Sequence, residues 1–356
     1  MRTRHAIVGA VVSALVATGL ASGHVKYVTG DSGEIDPVSF LITTVLDPVN
    51  LLLLGGGAVG ALVVVVAYIR IQPLQADVQA ARRALRSYRD LIPWMLRLSL
   101  GLPLVGAGYN GYLFSPVVTP ASGELVVRLF GIGVGFLLLF GLGTRLVGAI
   151  GLAGYLIGLA LHPALLLAFE YLPAFVAIVL VGGGRPSADH MIHRMADDDR
   201  TLYSRLDPLH TSLVEPFRDR VEPYRALAPT IVRVGLGIAF IYLGLSEKLL
   251  APAQALAVVE KYDLTAVVPV APELWVVGAG LTEIAVGLVL IVGLLTRGTA
   301  AVAFLLFSTT LFGLPDDPVL AHVSLFGLAS VLLVTGSGPY ALDGHFRRHK
   351  DTLLTD

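Results

Sequence analysis

The sequence contains no cysteine, only two tryptophans, and charged residues at just 14% of its positions. Without thiols the chain has no disulfide, no thiolate nucleophile, no cysteine-ligated iron–sulfur cluster and no covalently attached haem c. Any redox role therefore needs an electron carrier from elsewhere. No phosphate loop, serine triad or nucleic-acid-binding basic patch is present. GGGR at 182–185 closes an apolar run rather than opening a helix, so it is not a phosphate cradle. His190 and His193 lie three apart near carboxylates, but in a polar stretch without the fixed geometry of a metal site, and no metal is expected. Soluble domains carry about 25% charged residues. This 356-residue chain, 55% hydrophobic with a mean hydropathy of +0.78, is therefore an all-α integral membrane protein.

What is abundant is apolar sequence in membrane-length runs. They fall at about 6–22, 45–69, 91–113, 125–143, 146–162, 165–183, 229–250, 273–294, 298–314 and 318–336, which predicts about ten transmembrane helices. The first run, with its basic start and small residues near Ala21, fits both a signal peptide and a retained first helix. If the N-terminus is inside, all but four of the 25 basic residues lie on or near the inner side; Lys26, Arg128, Lys248 and Lys261 are the exceptions. The positive-inside rule then predicts a multi-pass protein of the plasma membrane with both termini cytoplasmic.

The chain also repeats itself. RLSLGLPLVGAGYNGYLFSP (97–116) aligns without gaps to RVGLGIAFIYLGLSEKLLAP (233–252), and GVGFLLLFGLGTR (133–145) to AVGLVLIVGLLTR (285–297). The units close with GGGRPSAD (182–189) and GSGPYALD (336–343). The expected organisation is an N-terminal membrane segment (1–70), an amphipathic cytoplasmic linker (71–90) and a four-helix unit (91–189). A second linker (190–228), a second four-helix unit (229–343) and a cytoplasmic tail (344–356) follow. Both units start and end inside, so they are parallel rather than inverted repeats.

An arginine and spaced glycines on the first helix, Gly244 to Lys248 as G-x-x-x-K, a glutamate before G-L-x-T-R, and a closing G-x-G-x-x-x-L-D (Gly336 to Asp343) form one set. Together they resemble the DoxX family of small four-helix membrane proteins. The second unit matches well and the first more loosely, with Gly111, Tyr112 and Gly131 where the second has Glu247, Lys248 and Glu283. The resemblance implies an accessory or quinone-proximal subunit of a membrane redox system, related to sulfur or oxidative stress. It also implies a separate soluble oxidoreductase as partner and a bound quinone as the electron carrier. The other reading is a non-enzymatic small-solute permease or a structural membrane protein.

The candidate site residues are the polar groups inside apolar runs. Glu283, His322, Lys248 and Glu247 are expected to converge near the outer end of the second unit, either exchanging protons or tying helices together. In the first unit Arg128 and Glu170, the latter aligned with His322, are expected to form the corresponding ion pair. Arg97, Arg145, Arg233 and Arg297 are expected to anchor inner helix ends by snorkelling to headgroups.

Overall fold

The computed structural model describes residues 33–344, apart from 121, 199 and 202–214. The run at 6–22 and most of the tail lie outside the described residues. No strand occurs among those described. Five helical stretches are long and apolar enough to cross a membrane: Pro48–Ile71, Arg89–Asn110, Thr144–Leu161, Glu215–Leu249 and Pro272–Val292. Pro37–Leu46, Tyr171–Val181 and Val319–Thr335 are shorter apolar helices.

The N-terminal segment divides at a proline. Helix α1 (Pro37–Leu46) is capped by Asp36, whose carboxylate accepts from Ser39 N at 2.7 Å. Asp47 ends it and caps α2 (Pro48–Ile71), accepting from Val49 N and Asn50 N, both at 3.0 Å. No residue of α2 is buried; beyond its start, where Asn50 bonds Thr44 O and Leu54 packs near α1, the helix is apolar all round and exposed among the described residues, as a lipid-facing helix is. The amphipathic helix expected next is α3 (Gln75–Arg86). It leans on the last long helix with Val78 and Leu85 half-buried and Arg83 and Arg86 exposed.

The first half then runs α4 (Ile92–Asn110), α5 (Glu124–Phe140), α6 (Thr144–Leu161) and, after a 3₁₀ turn at Pro163–Ala168, α7 (Tyr171–Val181). The 3₁₀ turn that starts at Pro163 takes up the beginning of the expected span 165–183, leaving a helix of 11 residues. Short helices α8 (Ala188–Ala196) and α9 (Glu215–Val221) lead to α10 (Ala228–Leu243), which continues as a π turn over Gly244–Leu249. Two short helices, α11 (Pro252–Lys261) and α12 (Leu264–Val267), occupy the long loop before α13 (Pro272–Val292). Helices α14 (Thr296–Gly313) and α15 (Val319–Thr335) complete the second half.

Small residues set the packing. A Cβ on Gly135 would stand 2.8 Å from Gly101 O, and one on Gly287 only 2.5 Å from Gly237 O. The pairs α4–α5 and α10–α13 thus meet backbone to backbone, as membrane helices do when dispersion rather than a hydrophobic gradient holds them. The halves interlock through their first and last helices: α4 packs on α15, and α10 on α7. A Cβ on Gly327 would collide with Ser99, and one on Gly235 with Pro173, so each crossing closes on a glycine. One apolar core runs through both halves, with Leu96, Leu236, Ile178 and Leu328 fully buried.

At one end of the bundle each half carries the same arginine clamp. Arg97 donates to the carbonyls of Leu138, Leu139, Gly183 and Pro186. Arg233 donates to those of Leu290, Ile291, Ser337 and Tyr340, four positions that align one for one with the first set. These include orphan carbonyls at a helix C-terminus, which a planar five-donor guanidinium satisfies well. Arg97 and Arg233 are therefore buried, at 3% and 1% exposure, rather than snorkelling as expected. Asp189 accepts from Gly143 N and Thr144 N, and Asp343 from Leu295 N and Thr296 N, so each closing aspartate caps the third helix of its half. Arg145 and Arg297 are less enclosed, reaching Leu180 O and Glu222, and Leu333 O and Val334 O respectively.

Candidate functional site

At the opposite end of the second half, five ionisable side chains gather below the surface. The π turn begins them. Its wider ring, closed by Leu250 N donating to Leu245 O at 2.8 Å, rotates consecutive acidic and basic residues into the bundle. Gly244 allows the approach, since a Cβ there would lie 2.7 Å from Gly280 O on α13. Glu247 is then fully buried, and Lys248 Nζ sits 2.9 Å from Glu283 Oε2. Both side chains of that pair are mostly covered, at 16% and 21% exposure.

The other members come from the α14–α15 connection. His322, one turn into α15 and 2% exposed, places Nε2 3.5 Å from Asp317 Oδ2, and the Asp317 side chain has no solvent exposure. The other ring nitrogen faces Pro318 O at 3.4 Å. Lys248 stands in the field of Glu283, Glu247 and Asp317 together, which joins the two pairs into one cluster. Three carboxyl groups thus share one ammonium and one imidazole in a poorly solvated place. Full ionisation would leave net negative charge there, and burial makes such charge costly.

A strap crosses the cluster's outer edge. Lys261 Nζ, at the end of α11, lies 2.7 Å from Asp316 Oδ2, and Tyr262 donates its hydroxyl to the same oxygen at 2.9 Å. The Lys261 hydrogen bond, then the Tyr262 one, hold the Asp316 carboxyl below its usual range, and the Asp316 bond raises Lys261. Adjacent aspartates therefore divide: Asp316 faces out to the strap and Asp317 in to His322. Among the described residues, no three His, Asp or Glu side chains are set to hold a metal ion.

Residues 228–322 match the DoxX family model. This part of the chain is a DoxX domain. No curated protein and no solved structure matches the chain significantly. The DoxX domain begins with α10 and ends at His322, so all five members of the cluster lie within it.

Of the four residues expected to converge in the DoxX domain, Lys248 and Glu283 are bonded to each other, His322 faces Asp317 instead, and Glu247 is buried next to Lys248 in the π turn. Asp317 was not foreseen. Its signal, the LPDDP break between two apolar runs, reads as an ordinary solvent-exposed turn until the fold tucks one aspartate under the other.

Among the described residues, the first half carries no such cluster. Arg128 pairs with Glu124 one turn away at 2.7 Å and also donates to Tyr109 O, so the expected Arg128–Glu170 pair is not formed. Glu170 is 4% exposed and accepts from Ser324 Oγ of the other half at 3.0 Å. Counting back from the left-handed glycines that end α7 and α15, Gly182 and Gly336, makes Ser324 rather than His322 the counterpart of Glu170. Two aligned positions thus touch across the halves. Where the DoxX domain has charge, the first half has rings. Phe114 contacts Tyr155 and Tyr171 edge-on, with centroids 5.3 and 5.1 Å apart, and Phe130 and Phe175 complete the group.

Proposed function

We propose that the protein is a membrane-embedded accessory subunit of a quinone-linked redox system, in which the DoxX-domain cluster takes up and releases a proton. The observation that carries this reading is the excess of buried acid: Glu247, Glu283 and Asp317 against Lys248 and His322. Intramembrane ionisable groups are expensive and are retained chiefly where they pair or move protons. The first half bears on the choice between those roles. Its α4–α5 pair closes on glycines with an aromatic filling and without an ion pair between second and fourth helices, so pairing is not needed to pack this kind of unit. Quinone would supply the electron-accepting chemistry. The chain's own part is to hold a proton at the Glu283–Lys248 and His322–Asp317 pairs and to keep bulk water out with the α11 strap.

The same proposal includes two parallel four-helix units, 91–189 and 229–343, within a ten-span plasma-membrane protein with cytoplasmic termini. The matched clamps of Arg97 and Arg233 and the helix caps of Asp189 and Asp343 support the duplication. Purification in mild detergent, followed by quinone extraction and mass-spectrometric identification of partners, tests the function. Recovery of quinone and a soluble oxidoreductase is expected. Recovery of neither favours the second reading, a permease or structural protein in which Lys248–Glu283 is simply a tie between the π turn and α13.

A further inference from the structure

At the arginine-bearing end, the four central helices leave a small, open-mouthed cleft of about 110 Å³. Its walls come from the beginnings of α4 and α10 and the ends of α7 and α15. The lining is two-fold in register. Arg89 aligns with Arg225, Pro93 with Pro229 and Leu96 with Val232, and the α7 and α15 walls pair in the same way, Val181 with Thr335. The cleft therefore sits where the two halves face each other as equivalents. It is distinct from the DoxX-domain cluster, which lies at the other end of the bundle.

Its chemistry is that of an amphiphile site. The depth is apolar, apart from Thr335, and the mouth carries two guanidinium groups. The Arg89 guanidinium, in the 3₁₀ turn Arg89–Leu91, makes no hydrogen bond or ion pair among the described residues. Arg225 uses one nitrogen on Glu222 at 3.2 Å, which leaves most of its fork available. Glu222 itself is shared with Arg145, so the carboxylate is already matched by two cations. Nearby, α3 lies against α15 and adds Arg82, Arg83 and Arg86 to the same end. Two forks at the rim of an apolar slot complement one phosphate carrying an acyl chain.

We propose that this cleft binds an anionic phospholipid, with the first part of an acyl chain between the halves and the headgroup phosphate held by Arg89 and Arg225. The occupant would wedge the two halves together at their shared axis, so lipid binding would set the stability of the whole bundle. The reading is independent of the proton role proposed above.

The test uses the full-length protein in neutral detergent, with native mass spectrometry and thermal unfolding as readouts. Phosphatidylglycerol is expected to be retained and to raise the unfolding temperature, and phosphatidylcholine to do neither. The exposed double variant Arg89→Gln/Arg225→Gln should fold yet bind phosphatidylglycerol about thirtyfold more weakly, at about 1 kcal/mol per arginine. The α3 variant Arg82→Gln/Arg83→Gln/Arg86→Gln should bind within about threefold of wild type. Equal binding of phosphatidylcholine, an effect reproduced in full by inorganic phosphate or by a neutral quinone, or loss in the α3 variant but not in the cleft variant would each overturn the proposal.

Discussion

Lys248 and Glu283, 35 residues apart in sequence, meet at 2.9 Å because a π turn and a glycine contact bring two helices to bonding distance. The pair is mostly covered, so breaking it is costly in a way that replacing it is not. Glu283→Leu leaves an ammonium in a poorly solvated place and should cost about 3–5 kcal/mol in detergent. Glu283→Gln keeps a polar partner and should lose less. Adding Lys248→Met to Glu283→Leu should restore much of the loss. Thermal unfolding of the three variants decides it: a leucine variant as stable as wild type would show that the bond contributes nothing.

The proton reading makes a separate demand of the inward aspartate. Asp317→Asn preserves shape but removes an acid next to His322, so the fold should survive. Proton-coupled quinone reduction in membranes should fall by about a hundredfold or more, the typical worth of a positioned acid–base group. Unchanged turnover in the asparagine variant would remove Asp317 from the proton path.

The clamp should tolerate no side chain at its glycine. Gly293 has φ +74°, and a Cβ there would lie 2.6 Å from both Arg233 Nη1 and Ala341 Cβ. Left-handed strain of about 1–2 kcal/mol adds to overpacking of about 1–3 kcal/mol, so Gly293→Ala should lower stability by at least about 2 kcal/mol. Asp343→Ala, which uncaps α14, should lose about 1–2 kcal/mol. A Gly293→Ala protein melting with wild type would contradict this account of the motif.

The strap should open at the extremes of pH. The Asp316 carboxyl is held below its ordinary value of 3.8, so its contribution is complete above that value and fades as pH falls through the lowered one. Lys261 is raised above its ordinary 10.5, so its contribution is complete below that value and fades as pH rises through the raised one. Between these limits the α11 amides should exchange slowly. Protection factors at 252–263, referred to the intrinsic exchange rate at each pH, should fall in acid for wild type and be low at every pH for Asp316→Asn. A flat acid profile for wild type would mean that the strap does not depend on the ion pair.

Several parts of this architecture are legible from composition and spacing. Scarce charge and membrane-length apolar runs specify a multi-pass helical protein, because lipid offers no partner for an exposed backbone. The R…GLxTR part of the pattern falls within the DoxX domain, and the four polar residues of the site stand out because apolar runs rarely tolerate them. Other parts are not legible. Arg97 and Arg233 read as surface anchors, since nothing local announces that four carbonyls from distant segments will surround each one. Arg128 and Glu170 read as partners by alignment, but a closer acid, Glu124, takes the arginine and a serine from the other half takes Glu170.

The sequence by itself determined the medium, the helices and the inventory of charges, because those depend on local hydrophobicity and on what lipid excludes. Only the tertiary structure decided which charges meet. The π turn that joins Lys248 to Glu283, the tucked Asp317 beside His322 and the two-fold cleft between Arg89 and Arg225 each need segments far apart in the chain. Close glycine packing sets those distances, and at 3 Å an ångström of helix shift makes or breaks the bond.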